Sequence, residues 1–331
     1  MKLLVCGGAG FIGSAFIRNH LQTKPHDTIT NLDNLTIGSN IHNLKEVEKN
    51  PNYKFIKDDI KNTEIVSNLA KENDIIVNFA AETHVDRSIS NPKPFVETNV
   101  LGTYSILESA RKHDKKFIHV STDEIYGDAE NKESFTEHDI LKPSNPYSAT
   151  KASADLLVES YRRTYGIKCI TTRCTNNFGP HQFPEKLIPK TIIRAYKNLK
   201  VPLYGGGNQI RSWIYVLDHV QAIDVLIEKG KSDIYNITAW NEITNRIVVE
   251  KILSLMKKPQ DLVENVGDRP GHDKRYSIDA SKIMKETGWK PRYQFDQALQ
   301  ETVSWYQKNQ DWWGALADEK TLHPQPWTIN W

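Results

Sequence analysis

The run Gly7-Gly8-Ala9-Gly10-Phe11-Ile12-Gly13 constrains this chain more than any other segment. It follows Lys2–Cys6, which reads as a buried strand, and it opens Gly13–Thr23, which reads as a helix. The spacing satisfies both G-x-G-x-x-G and G-x-x-G-x-x-G. Glycines let a backbone turn approach a pyrophosphate closely, and the helix N-terminus behind them offers free N–H groups and positive potential. The strand–turn–helix context is what gives the pattern meaning. Asp33 stands about 20 residues beyond Gly13, at the end of an apparent second strand. A carboxylate there accepts hydrogen bonds from an adenosine ribose and repels a 2′-phosphate. NAD is therefore expected rather than NADP.

The first half repeats the same unit. Thr28–Asn31, Lys54–Lys57, Ile75–Phe79 and Lys116–Ser121 read as further strands, and Thr63–Glu72 and Val96–Lys112 read as helices. This alternation predicts an α/β fold with a doubly wound, parallel, Rossmann-type sheet. A long helix is expected over Tyr147–Tyr165, stopped by Gly166, with a strand at Lys168–Arg173. Near residue 180 the character changes to shorter segments and glycine-rich turns such as Gly205-Gly206-Gly207-Asn208. We expect a dinucleotide domain over 1–180 carrying the catalytic residues. A smaller mixed α/β substrate domain is expected over 181–331, with segments that return to the first.

Composition narrows the function classes. Among 331 residues, 38% are hydrophobic and 25% charged, and the net charge of +2 gives no basic surface for nucleic acid. No apolar run is long enough to span a membrane. The glycines come too early for MKLLVCGGAGFIG to serve as a signal peptide, so a cytoplasmic protein is expected. Cys6, Cys169 and Cys174 have no metal-ligand spacing and read as buried free thiols. No metal is expected.

Two further segments lie where a parallel sheet binds ligands, beyond the carboxyl ends of its strands. Asp58-Asp59-Ile60 follows the third strand, where one carboxylate and adjacent backbone could meet an adenine. Phe79-Ala80-Ala81-Glu82-Thr83 follows the fourth, where small alanines permit close approach. Tyr147 and Lys151 stand one helical turn apart on a single face, where an ammonium should lower the tyrosine pKa toward a usable base.

The glycine fingerprint with Tyr147 and Lys151 resembles the extended short-chain dehydrogenase/reductase family. That resemblance implies a tyrosine that takes a hydroxyl proton while NAD takes a hydride. Lys151 would hold the nicotinamide ribose, and Ser121 or Thr122 would bond the reacting oxygen. Within the family, Thr122-Asp123-Glu124 resembles the triplet of the nucleotide-sugar 4,6-dehydratases. Oxidation at C4 acidifies the C5 proton, so a base must remove that proton and an acid must protonate the departing C6 hydroxyl. The resemblance assigns Glu124 as the base and Asp123 as the acid. Their pKa values should be pushed apart, with Asp123 held protonated.

The same resemblance implies the binding residues. Gly7, Gly10, Phe11, Ile12, Gly13, Asp33, Asn34, Thr36, Asp59, Ile60, Phe79, Ala80, Ala81, Thr98 and Asn176 would surround NAD with Tyr147 and Lys151. Thr83, Asn177, Lys186, Leu187, Pro202, Tyr204, Arg211, Asn241, Arg269 and His272 would bind a nucleotide sugar with the catalytic triplet. Arg211 and Arg269 are the expected clamps on its diphosphate. The likeness spans essentially the whole chain, and dTDP-glucose is the expected substrate, although the residues leave the base open to dTDP, UDP, CDP or GDP. Departures are small. Phe178 stands where the family usually has Tyr, and Leu203 where a β-branched residue is common. Ser212 stands where Asp is usual, leaving Arg211 without a carboxylate neighbour. A 4-epimerase or decarboxylase of the same fold is the competing enzyme, and a non-catalytic NAD-binding regulator the competing class. His84 reads as a structural hydrogen-bonding residue. The tryptophan-rich tail reads as a terminal segment packed on the body. By family analogy, the helices Val96–Lys112 and Tyr147–Tyr165 would pair in a homodimer.

Overall fold

The computed structural model describes residues 1–331. Its strands are β1 (Lys2–Cys6), β2 (Thr28–Leu32), β3 (Tyr53–Ile56), β4 (Ile75–Asn78), β5 (Lys116–Thr122) and β6 (Cys169–Cys174). They continue with β7 (Asn176–Phe178), β8 (Val201–Tyr204), β9 (Ile210–Tyr215), β10 (Ile234–Ile237), β11 (Asn241–Thr244) and β12 (Val263–Val266). Seven of them form a parallel sheet in the order β10-β6-β5-β4-β1-β2-β3. All four residues of β4 and all six of β6 are buried, as strands covered on both faces must be. Alternate residues of each strand serve opposite layers. Leu3 and Val5 pack under the helices Phe11–Thr23 and Val216–Lys229, while Leu4 and Cys6 pack under Thr63–Glu72, Thr103–Lys112 and Pro146–Tyr165.

The order reverses at β1. Cys6 pairs with Leu32 on one side and Asn78 on the other, so the connections depart in opposite directions and leave a crevice at the carboxyl ends. β10 comes from the second half of the chain yet completes this sheet. The remaining elements build a smaller layer. β9 pairs parallel with β7 and antiparallel with β11, and β8 pairs parallel with β12. Their core joins Ile188, Ile192, Trp213, Ile252, Leu299 and Tyr306.

The helix Pro146–Tyr165 shows its causes in sequence. Asn145 and Ser148 form a reciprocal capping box, Pro146 occupies the first turn, and Gly166 ends the helix in the left-handed region at φ 68°. The single helix expected over Val96–Lys112 is instead a π-helical turn, Val96–Gly102, followed by an α-helix, Thr103–Lys112. Asn99 explains the difference. Its buried amide accepts from Glu82 N–H at 2.9 Å and donates to Glu82 O at 3.1 Å and Thr150 Oγ1 at 2.9 Å. The wide turn carries Asn99 inward to hold the segment after β4, and such turns recur at functional sites. Tail packing follows the apolar surface of Trp305 and Trp312, which close on His181, and of Trp313, which enters the second core. The three cysteines are buried and free, no helix is long and apolar enough to cross a membrane, and no acidic, histidine or cysteine cluster is arranged to hold a metal.

Asn99→Ala would leave the buried Glu82 N–H and C=O without partners, at about 1–3 kcal/mol for each unsatisfied group. Equilibrium denaturation should show a loss of roughly 3 kcal/mol, and a loss below about 1 kcal/mol would refute this account of the π turn.

Candidate active site

The glycine turn folds as tightly as its sequence requires. Gly7 sits at φ 77°, and a Cβ there would lie 2.4 Å from Ala80 N. One on Gly13 would lie 2.3 Å from Gly7 O. Gly10 caps the helix Phe11–Thr23 with no side-chain bond, which leaves the first N–H groups open. Asp33 at the end of β2 accepts from Ala9 N at 2.9 Å and Leu35 N at 2.8 Å, and burial raises its pKa. These features line one end of a cavity of about 240 Å³. Gly7, Gly10, Phe11, Ile12, Gly13, Asp33, Asn34, Thr36, Ile60, Phe79, Ala80, Ala81 and Thr98 all stand on its wall. A close backbone, an uncapped helix end and a carboxylate at the strand end are the donor and acceptor set that NAD requires.

β5 delivers the reactive groups to the other end of this cavity. Thr122 closes the strand and caps the 3₁₀ turn Asp123–Tyr126, accepting from Glu124 N at 3.3 Å. Two acids therefore occupy the first turn of one short element. Gly127 ends it at φ 81°, packed so closely on Lys142 O that a Cβ would lie 2.2 Å away. Burial, with Glu124 second, pushes Asp123 up to about 8. Its Oδ2 is buried without a partner. Burial also raises Glu124, opposed by the guanidiniums of Arg269 and Arg211. Tyr276 OH lies 3.4 Å from Glu124 Oε2 and donates to Asp273 Oδ2 at 2.7 Å.

Tyr147 and Lys151 line the same cavity. The expected lowering of the tyrosine pKa fails. Burial and the carboxylate of Glu124 raise Tyr147 well above its ordinary value. The Lys151 ammonium donates to Val120 O at 2.8 Å, and burial pulls it down to about 8.

A second cavity, of about 140 Å³, shares Thr83, Glu124, Asn176, Glu185 and Lys186 with the first. Its wall carries Leu187, Pro202, Tyr204, Arg211, Arg269 and His272. Arg211 is fixed without a carboxylate, contrary to the concern over Ser212. Its guanidinium donates to Ile210 O and Asp273 O, each at 2.8 Å, and stacks 4.1 Å over Tyr276. Arg269 pairs with Asp86 at 2.7 Å. That ion pair holds the Asp86 carboxyl below its usual range against its burial.

Three expected positions need correction. Asn241 does not reach either cavity, because β11 pairs it with Trp213 and its amide donates to Trp213 O at 3.2 Å. Asn245 lines the second cavity instead, with Oδ1 buried and unpartnered. Asp58, not Asp59, stands on the first cavity wall, while Asp59 Oδ2 accepts from Asn34 Nδ2 at 3.0 Å. Asn177 lines the first cavity but spends its amide inward, on Thr175 O and His219 Nδ1 at 2.9 Å each. Asn176 has the open acceptor, a buried and unpartnered Oδ1. His84 caps the helix Val85–Ser90 and burial brings it down to about 4, so it is a neutral structural ring. Sequence reasoning passed over Asp86, Lys190, Trp213 and Asn245. Only for Asn245 was there a signal, a second asparagine one turn from Asn241.

The family described as GDP-mannose 4,6 dehydratase matches residues 4–302. The chain is 44% identical to dTDP-glucose 4,6-dehydratase of Escherichia coli, over 96% of this chain and 97% of that one. The crystal structure of dTDP-glucose 4,6-dehydratase from Bacillus anthracis in complex with NAD superposes with a TM-score of 0.90 at 46% identity, covering 96% and 99% of the two chains. The dTDP-glucose 4,6-dehydratase of Streptomyces venezuelae, also solved with NAD, gives 0.94 at 42% identity, covering 96% and 100%.

The Asp123 carboxyl should titrate near pH 8, being protonated below that value and ionised above it. Carbon-13 NMR of aspartate-labelled protein should show this resonance vanish in Asp123→Asn; a midpoint near 4 would contradict the burial argument.

Proposed function

We propose, for a chain that belongs to the GDP-mannose 4,6-dehydratase family, that it converts dTDP-glucose to dTDP-4-keto-6-deoxyglucose. The observation that carries this reading is the adjacent pair of buried Asp123 and half-buried Glu124, with Glu124 at the junction of the two cavities. An epimerase of this fold has no use for a C5 base beside a C6 acid.

Bound NAD takes a hydride from C4 of the sugar and returns it at C6, so no net oxidation remains. The chain's own residues move the protons. Tyr147 accepts the C4 hydroxyl proton as the phenolate, which burial and Glu124 oppose, with Thr122 bonded to the reacting oxygen. Lys151, one turn further along the helix, is cationic below about pH 8 and assists the loss of the tyrosine proton. The C4 ketone acidifies C5, and Glu124 removes the C5 proton. Asp123 gives its proton to the C6 hydroxyl, which leaves as water. Glu124 then returns its proton to C5, and the proton held by Tyr147 makes good the one Asp123 gave. Arg211, Arg269 and Lys186 hold the diphosphate, and Asp33 holds the adenosine ribose. In this reading residues 1–180 bind NAD and carry the chemistry, and 181–331 bind the nucleotide sugar.

The reading extends to assembly and place. Leu101 and Tyr104 on one helical segment, and Leu156 and Tyr165 on its neighbour, are large apolar residues left 46–61% exposed. A two-fold pairing of these helices in a homodimer covers them. Buried free thiols suit a reducing compartment, and we place the enzyme in the cytoplasm.

Glu124→Gln should still reduce bound NAD when dTDP-glucose is added, visible as NADH absorbance. It should lose the 4-keto-6-deoxy product by at least about 100-fold. Unimpaired turnover would sink the dehydratase reading. The wild-type kcat should fall above about pH 8, where neutral Asp123 and cationic Lys151 are both lost. A flat profile to pH 10 would exclude both groups from the rate.

A further inference from the structure

We propose that Lys190 reads the base of the bound nucleotide sugar, donating a hydrogen bond to a carbonyl oxygen of its pyrimidine ring. This rests on the nucleotide-sugar reading above and names the group that recognises the nucleoside. Lys190 lies one turn beyond Lys186 on the helix Leu187–Tyr196 and is 5% exposed. It stands on the wall of the second cavity. Its ammonium has three donors. One makes a long bond, 3.3 Å to His323 O, and no carboxylate lies within ion-pair distance.

The two nearby acids are already engaged. Asp86 takes Arg269 at 2.7 Å and Tyr204 OH at 3.2 Å. Glu185 takes Arg87 at 3.0 Å. A buried cation with spare donors is costly unless an acceptor arrives. Burial pulls Lys190 down to about 8, so it still carries its charge at neutral pH.

Position decides which acceptor. The diphosphate has Arg211, Arg269 and Lys186 toward Glu124. The cavity that Lys190 lines also carries Leu187, Val201, Pro202, Leu203 and the ring of Tyr204, beside the charged groups Asp86 and Glu185. Apolar surface with an aromatic face suits a flat base, and a single cation set in it suits a ring carbonyl. Trp327 backs Tyr204 from outside, with ring centroids 4.8 Å apart.

Two rival roles give different results. Lys190 could attract the diphosphate by charge alone, or only tether the segment that carries His323. Calorimetry on the NAD-loaded enzyme, titrated with dTDP and with inorganic pyrophosphate, separates them. Lys190→Met should weaken dTDP about tenfold and pyrophosphate less than about twofold. Arg194 donates to Leu322 O at 2.6 Å and tethers the same segment without lining the cavity. Arg194→Met should leave the preference for dTDP over pyrophosphate intact. Equal weakening of both ligands by Lys190→Met would overturn the proposal. So would no weakening of either, or the same selective loss in Arg194→Met. A wild-type enzyme that bound dTDP with this selectivity but made no 4-keto sugar would overturn the dehydratase reading and leave Lys190 standing.

Discussion

Setting two adjacent carboxylates in one cavity wall, Asp123 buried and Glu124 half-buried, is the constraint on which the rest of this cleft depends. Each would prefer water, and each raises the cost of ionising the other. The fold answers with cations that do not pair with them. Arg211 is anchored by backbone carbonyls and the face of Tyr276, and Arg269 by Asp86. Both lower the pKa of Glu124 from a distance, while burial and Glu124 hold Asp123 near 8. Both acids are raised by burial, Asp123 to about 8, while the two guanidiniums hold back the rise of Glu124. A general acid and a general base arise from two residues that a free peptide would titrate almost together.

What was legible in the sequence is what local chemistry decides. Gly7 can approach Ala80 only because it lacks a side chain, and that requirement is written in the glycine itself. The helix Pro146–Tyr165 carries its own start and stop in Asn145, Ser148 and Gly166. What was not legible depends on partners remote in sequence. The π turn at Val96–Gly102 exists because Asn99 meets Glu82 and Thr150. Asn241 and Asn245 are alike by composition, and only the pairing of β11 with β9 turns one toward Trp213 and leaves the other on the cavity. The direction of the Tyr147 shift escaped for the same reason. Its helix neighbour Lys151 is visible in sequence, but the stronger influences are burial and Glu124.

The last requirement is that the two cavities hold a fixed relation. Hydride chemistry demands that reacting atoms meet at near contact, and a misplacement of about 1 Å can cost roughly 100-fold in rate. The segment after β4 belongs to the dinucleotide side, and the loop before the helix Leu187–Tyr196 belongs to both. Two cations join them. Arg87 binds Glu82 on the first segment and Glu185 on the second, the latter at 3.0 Å. Lys186 donates from the second to Thr83 O on the first at 2.7 Å. Arg87 is 6% exposed, so if either carboxylate left it, a buried charge would stand uncompensated at a cost of several kcal/mol. Net stability is a weak explanation for such a cluster, since well-packed apolar residues would serve that purpose as well. Geometry is the better one: a guanidinium shared between two segments fixes their spacing and orientation together, which an apolar contact does only loosely.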